Sequence, residues 1–350
     1  MPRGPPTAAV DWALLVTVLF QAATGVWTIF AGAMGSAWVF WVHGIGGLVL
    51  VGLVGFKLWR VRHRLRPGAW RWEMAYSVGA AVVVLVALGT GIAWASGWRP
   101  WVGGFTLLTI HAFLGLVLVI PLVLHLRHRF HSPRDVGFQD RRTALQFGLL
   151  VGVSAVAWRV QRWVTRVVDL HGRFTGSYEV ASFEGNAFPT TSWVADDPEP
   201  IDPGEWRLLV DGAVEREMEL DYEELVVDAG AEKEEEAILD CTSGWYSAQR
   251  WRGVDVGSLL ERVEPEQGAG WVVFHSVTGY RWSLPIREAR DVLLATHVSG
   301  ERLSHGHGFP LRLVAPGRRG FQWVKWVERV AVRRGPDYGQ WVAIFTSWMG

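Results

Sequence analysis

The chain has 350 residues, room for about two domains, with 50% hydrophobic side chains, 19% charged ones and 22 Trp. That composition excludes a disordered, collagen-like or disulfide-scaffold protein, and a single cysteine, Cys241, excludes an intrachain disulfide. The net charge of zero hides an asymmetry: residues 1–168 hold 16 Lys and Arg against 4 Asp and Glu, whereas residues 169–350 hold 18 against 30.

In the basic part the arginines cluster between apolar runs, a pattern of membrane topology rather than of nucleic-acid binding. Four stretches, 12–34, 38–59, 74–98 and 105–126, are long and apolar enough to cross about 30 Å of hydrocarbon. A fifth, 143–158, has only 16 residues and would lean on Arg159 and Trp163 as interfacial anchors. The organisation expected is a helical bundle of four membrane spans over 1–131, then a basic loop, fifth span and linker over 132–168, four to five spans in all, and a second domain over 169–350. No cleavable leader is expected, because residues 1–10 run straight into the first span. The loops 57–71 and 127–142 carry most of the Arg, so both are expected on the cytoplasmic side of the cytoplasmic membrane. A spanning fifth run then places the acidic half outside. Arg141 and Arg142 before that run are similar to an internal twin-arginine export signal, and equally fit two more positive-inside residues.

An internal repeat runs through the four spans. His43-Gly-Ile-Gly-Gly-Leu-Val-Leu-Val recurs as His111-Ala-Phe-Leu-Gly-Leu-Val-Leu-Val, and the preceding spans carry Thr24-Gly25 and Thr90-Gly91. A duplicated helix pair brings His43 and His111 to one depth, where two neutral imidazoles can bind one b-type haem iron. Gly47 and Gly115, one turn on, are expected to leave room for the porphyrin. His125, 14 residues after His111 and about 21 Å further along the helix, is the candidate ligand of a second haem, with His63 as its partner. The same two histidines also fit a basic cytoplasmic rim. This half resembles the four-helix cytochrome b subunits that exchange electrons with the quinone pool, over roughly residues 10–130.

After Asp169 the pattern changes to short β-branched runs at 206–211, 271–275, 312–315 and 327–332, with short helices at 221–227 and 256–263. A mostly-β α+β domain is expected, with 232–236 as a solvated loop or face. Cys241, in Ile-Leu-Asp-Cys-Thr-Ser-Gly-Trp, ends an apolar strand at a Gly-containing turn. There a thiol can be a nucleophile, with His275, His305 or His307 as base, or a ligand to a soft metal. An inert core cysteine or a cofactor-free, membrane-anchored binding domain are the plainer alternatives.

Several motifs go further. They are Asn186-Ala-Phe-Pro, Trp206-Arg-Leu-Leu-Val-Asp-Gly, the Cys241 turn followed by Trp251-Arg-Gly-Val, Gly279-Tyr-Arg-Trp-Ser-Leu-Pro, Gly300-Glu-Arg-Leu, His307-Gly-Phe-Pro-Leu-Arg, Pro316-Gly and Val324-Lys-Trp-Val. In this order, from about residue 185 to 332, they resemble the sulfite oxidase fold of molybdopterin enzymes. The resemblance implies that Cys241 is the protein thiolate on molybdenum and that His307, Arg312 and Lys325 hold the pterin and its phosphate. It also implies that Asn186 approaches the metal or pterin, and that the stretch from Arg319 through Gln322 and Trp323 adds phosphate contacts. Trp245 and Tyr246 stand where sulfite oxidases proper place oxyanion-binding arginines, and Gln322 also replaces an arginine. The implied activity is therefore reduction of a small, sulfoxide-type substrate with electrons from quinol, with sulfite-type oxidation toward quinone as the alternative.

Overall fold

The computed structural model describes residues 4–62, 74–129, 140–168, 172–191, 196–227 and 232–347. His63 and most of both arginine-rich loops lie outside the described residues. The chain forms two compact units, Met1–Tyr178 and Glu179–Gly350.

In the first unit, α1 (Thr7–Phe30) packs on α2 (Ala37–Val61), and α3 (Met74–Ala95) packs on α4 (Leu107–Val117) and α5 (Val119–Arg129). α6 (Arg141–Val168) lies against α2. These elements provide five helices long and apolar enough to cross a membrane, the fourth of them, Leu107–Arg127, made of α4 and α5 together. The hydrogen-bond ladder between α4 and α5 is interrupted because Pro121 has no N–H to offer the Val117 carbonyl, while Leu118 keeps helical angles of φ −55° and ψ −27°. α6 is 28 residues long, well beyond the 16 apolar residues that suggested a marginal span. The apolar face continues through the exposed Val160, Trp163, Val164 and Val167, so helix and apolar stripe extend past the first arginine. Residues 172–178 also belong to this unit: Trp94 Nε1 donates to the Gly176 carbonyl at 3.1 Å, and Phe40 meets Phe174 edge-on at 5.5 Å. The structural division thus falls ten residues after the change in charge.

The second unit is built on two sheets. The first orders β2 (Met218–Asp221), β1 (Arg207–Gly212), β10 (Val327–Arg333), β5 (Trp271–Ser276) and β6 (Arg281–Pro285), with β1 and β10 parallel and every other pair antiparallel. The second pairs β3 (Glu232–Asp240) with β4 (Trp245–Asp255) and β4 with β7 (Leu293–Val298); β7 also pairs with β8 (Glu301–Arg302) and β9 (Arg312–Val314). Four of these strands, β1, β5, β9 and β10, agree with the β-branched runs to within a residue; the other six had no such run to mark them. Gly212, at φ +97°, closes the β1 turn where any Cβ would meet the Val332 carbonyl of the parallel neighbour. Trp251, Trp323, Trp326, Phe274, Leu208 and Leu284 are all but excluded from solvent, each such burial contributing about 1.5–3 kcal/mol.

Two local readings become specific. Residues 232–236 are the start of β3, whose charged side chains keep a solvated strand from attracting further strands. The C-terminal stretch, which no pattern assigned, forms α7 (Gln340–Thr346) on β6: Gln340 Oε1 accepts from both the N–H and hydroxyl of Ser283 at 2.8 Å, and Trp341 packs edge-on against Trp282.

Candidate functional site

Cys241 directly follows β3. Its N–H donates to the Trp245 carbonyl at 2.9 Å, its carbonyl accepts from the Gly244 N–H at 3.1 Å, and Gly244 takes φ +97° to close the turn. The Sγ lies 3.0 Å from Ser243 Oγ and 3.4 Å from Thr191 Oγ1, and the residue is 7% exposed. Thr191 is fifty residues away in sequence and carries no motif, so only the fold places it beside the thiol.

A buried ion pair fixes this turn from behind. Arg319 Nη1 stands 2.8 Å from Asp240 Oδ1, both side chains 2–3% exposed, and Arg319 Nη2 donates to the Cys241 carbonyl at 3.1 Å. Gly320 allows the approach, since a Cβ there would lie 3.2 Å from Cys241 Cα. Gln322, wholly buried, accepts the Arg319 N–H on its Oε1 at 3.1 Å. The stretch 319–323 therefore packs directly behind the cysteine.

Two cations complete the cluster. Arg312 is buried on β9, with Nη1 donating to the His307 carbonyl at 2.8 Å and its guanidinium over the Trp251 ring. Lys325 donates to the Gly306 carbonyl at 2.8 Å and lies over the Trp326 ring. Gly308 separates them, a Cβ there falling 3.0 Å from Lys325 Cβ and 3.3 Å from Arg312 Cβ. Loss of hydration drives Lys325 down to about 7, with repulsion from Arg312 adding to it; Asp196 and Cys241 oppose the shift. Burial likewise lowers Arg312 to about 10, against the opposing charge of Cys241. Asp196, which no sequence motif marked, is buried and its carboxyl pushed up mainly by that burial.

His307 is engaged on both ring nitrogens: Nε2 donates to the Phe188 carbonyl at 2.8 Å, and Nδ1 accepts from Ser304 Oγ at 2.7 Å. Burial lowers its pKa to about 4. With no free lone pair it is not placed to act as base for Cys241. His305 bonds the Pro198 carbonyl, and His275 belongs to β5, in register with Arg329 and Arg281. Asn186 is also fully used: its amide donates to Glu301 Oε2 and the Arg302 carbonyl at 3.0 and 2.9 Å and accepts the Ser304 N–H at 2.8 Å. Its visible work is to tie the 185–187 turn to β8. Trp245 is buried against Phe188 rather than presented as an open aromatic wall.

The buried side-chain atoms without a hydrogen-bond partner among the described residues include Arg312 Nε, Gln322 Nε2 and Trp323 Nε1. Three orphaned donors and two poorly balanced cations around a thiol form a cradle for an anionic, hydrogen-bonding ligand. No cluster of three His, Cys, Asp or Glu occurs among the described residues, so a metal on Cys241 has to bring ligands of its own. A phosphate-bearing pterin dithiolene fits that donor set.

In the helical unit, His43 and His111 come together, with ring centroids 6.0 Å apart and planes at 83°. One metal between two imidazole nitrogens, at about 2 Å from each, requires a separation of roughly this size. The preceding repeat explains the room: a Cβ on Gly25 would lie 3.3 Å from His43 Cε1, and one on Gly91 would lie 2.8 Å from His111 Cε1. Gly47 instead faces Gln21, whose Nε2 donates to the His43 carbonyl, while Gly115 faces open space. His125 Nδ1 lies 3.0 Å from Ser77 Oγ, on the other side of the Pro121 interruption; its proposed partner His63 is outside the described residues.

Residues 195–341 match the oxidoreductase molybdopterin binding domain family. The chain is 31% identical over 180 residues to the uncharacterized oxidoreductase YuiH of Bacillus subtilis (strain 168), covering 51% of this chain and 87% of that one. It is 30% identical over 165 residues to the protein-methionine-sulfoxide reductase catalytic subunit MsrP of Gluconobacter oxydans (42% of this chain, 51% of MsrP). Over 170 residues it is 26% identical to the NADPH nitrate reductase of Fusarium oxysporum (41% of this chain, 19% of that one). The protein is an enzyme of the molybdopterin-binding oxidoreductase family, whose domain has the sulfite oxidase fold. That membership sets aside the thiol hydrolase and the cofactor-free binding domain. The chain spans about half of MsrP and a fifth of the nitrate reductase.

Proposed function

We propose that the chain is a multi-pass protein of the cytoplasmic membrane that uses molybdenum-molybdopterin outside the membrane to reduce an oxygenated sulfur compound. Its electrons come from quinol through b-type haem. The observation that carries the molybdenum assignment is the Cys241 thiol facing Arg312 and Lys325, two buried cations with orphaned donors beside them. Cys241 would be the protein ligand to molybdenum, Lys325 and Arg312 would bind the pterin phosphate, and Gln322 and Trp323 would donate hydrogen bonds. When bound, the group supplies oxygen-atom exchange coupled to two electrons. The chain contributes charge, orientation and exclusion of water.

His43 and His111 would hold the haem; their spacing and the glycines cleared opposite them support this. Five apolar helices of spanning length support the membrane assignment, and Arg141–Arg142 at the start of α6 suits export of the loaded domain. MsrP, by name a methionine-sulfoxide reductase, favours a sulfoxide substrate, and Trp245 and Tyr246 in place of arginines just after Cys241 disfavour sulfite. Detergent-purified protein from a host that makes molybdopterin is expected to contain about one molybdenum and one or two irons per chain. It should oxidise a reduced quinol analogue with methionine sulfoxide as acceptor. Sulfite oxidation with no sulfoxide turnover would reverse the direction, and protein without molybdenum would refute the assignment.

A further inference from the structure

We infer that Thr24 is a positioning residue for the His43 ligand and that the duplicated helix pairs hold the two histidines by chemically different partners, making an asymmetric haem site. This rests on the haem reading above. Thr24 is buried, and its hydroxyl donates to the Phe20 carbonyl at 2.8 Å, with the Gln21 carbonyl at 3.3 Å. With its proton committed, Thr24 Oγ1 can only accept from His43 Nδ1, which lies 3.0 Å away. His43 is thereby held as the Nδ1–H tautomer, with its lone pair on Nε2. His111 reaches the same tautomer by another route: Nδ1 lies 2.8 Å from the Ala87 carbonyl, an acceptor with no proton to give. In neither histidine does Nε2 hydrogen-bond to another described residue, so both lone pairs remain for iron.

The repeat makes the difference visible. Thr90, the counterpart of Thr24, makes the same bonds to the carbonyls four and three residues before it, Val86 and Ala87 at 2.9 and 3.0 Å, but His111 Nδ1 meets the Ala87 carbonyl instead of the hydroxyl. The interval from threonine to histidine is two residues longer in the second helix pair, so His111 meets the backbone where His43 meets the hydroxyl. A backbone carbonyl is a stronger acceptor than a hydroxyl already donating elsewhere. His111 is accordingly the more basic ligand, and His43 is the one a side-chain substitution can tune.

The test uses full-length protein from a haem-replete host, with optical redox titration, low-temperature electron paramagnetic resonance and haem retention during dilution. Thr24→Val removes the acceptor at nearly constant volume. It is expected to raise the haem midpoint potential, because a less basic ligand favours ferrous iron, to move the low-spin ferric signal, and to weaken haem retention by about tenfold. Thr24→Ser is expected to restore all three, and Thr90→Val, which relieves the Ala87 carbonyl of one donor, not to raise the potential; Thr24→Ala repeats the test without a β-branched side chain. A haem-loaded Thr24→Val protein with unchanged potential and spectrum would overturn the assignment of Thr24, as would an equal shift in Thr90→Val. Wild-type protein that binds no haem would overturn the haem reading itself, and this inference with it.

Discussion

Replacing Asp240 by Asn tests how the Cys241 turn is held. In the folded protein the Asp240 carboxylate and the Arg319 guanidinium are 2.8 Å apart and almost wholly removed from water, and the arginine also donates to the neutral Cys241 carbonyl. Asp240→Asn preserves shape and removes the compensating charge, leaving a buried guanidinium unbalanced. Breaking a buried pair in this way costs about 3–5 kcal/mol. For a unit of this size each kcal/mol is worth about 2–4 °C in Tm, so a loss of roughly 10 °C is expected. Tryptophan fluorescence of the full-length protein during heating reads the transition, because Trp251 and Trp323 lie in the core of this unit. The double variant Asp240→Leu with Arg319→Met, which removes both charges, should recover most of the stability. If Asp240→Asn melts within about 3 °C of wild type, the pair does not anchor the turn.

Other outcomes follow from the same geometry. Cys241→Ser should leave the fold and the melting transition nearly unchanged while abolishing bound molybdenum and turnover, read by elemental analysis and activity. Lys325 has its pKa lowered to about 7, so between that pH and the ordinary lysine value the unfolded chain binds more protons than the folded one. The cofactor-free protein should therefore gain stability as pH rises from about 7 toward 10, and Lys325→Met should flatten the slope; denaturant titrations across that range decide it. Asn186→Ala removes three side-chain hydrogen bonds at the 185–187 turn and should cost about 1–3 kcal/mol in the same melts. His43→Ala and His111→Ala should each remove the haem absorption bands, whereas retention of a normal spectrum in either would show that the haem lies elsewhere.

Much of the chain's organisation was legible because it depends on short-range patterns. Apolar runs of spanning length, arginines between them and β-branched runs after residue 169 reflect the hydrophobic effect acting at the period of each element. The five long apolar helices follow them closely, as do four of the strands, β1, β5, β9 and β10. α6 outran its apolar stretch because an exposed face can remain apolar while arginines occupy the neighbouring face. Cys241, Arg312 and Lys325 were marked by ordered motifs, and the fold gathers them into one charged cluster.

What the sequence by itself determined is the division into an apolar, basic part and an acidic, mostly-β part, the family of the second part, and the repeat that pairs His43 with His111. Tertiary structure alone decided what each side chain bonds. It set Thr191 beside the thiol, Asp196 against Lys325 and Asp240 under Arg319, and it showed that Asn186 and His307 spend their hydrogen bonds within the protein. It also assigned Thr24 and Ala87 as the unequal partners of two sequence-equivalent histidines. The physical reason is range: local periodicity is written along the chain, whereas a hydrogen-bond partner fifty or more residues away is selected only by how the packed elements meet.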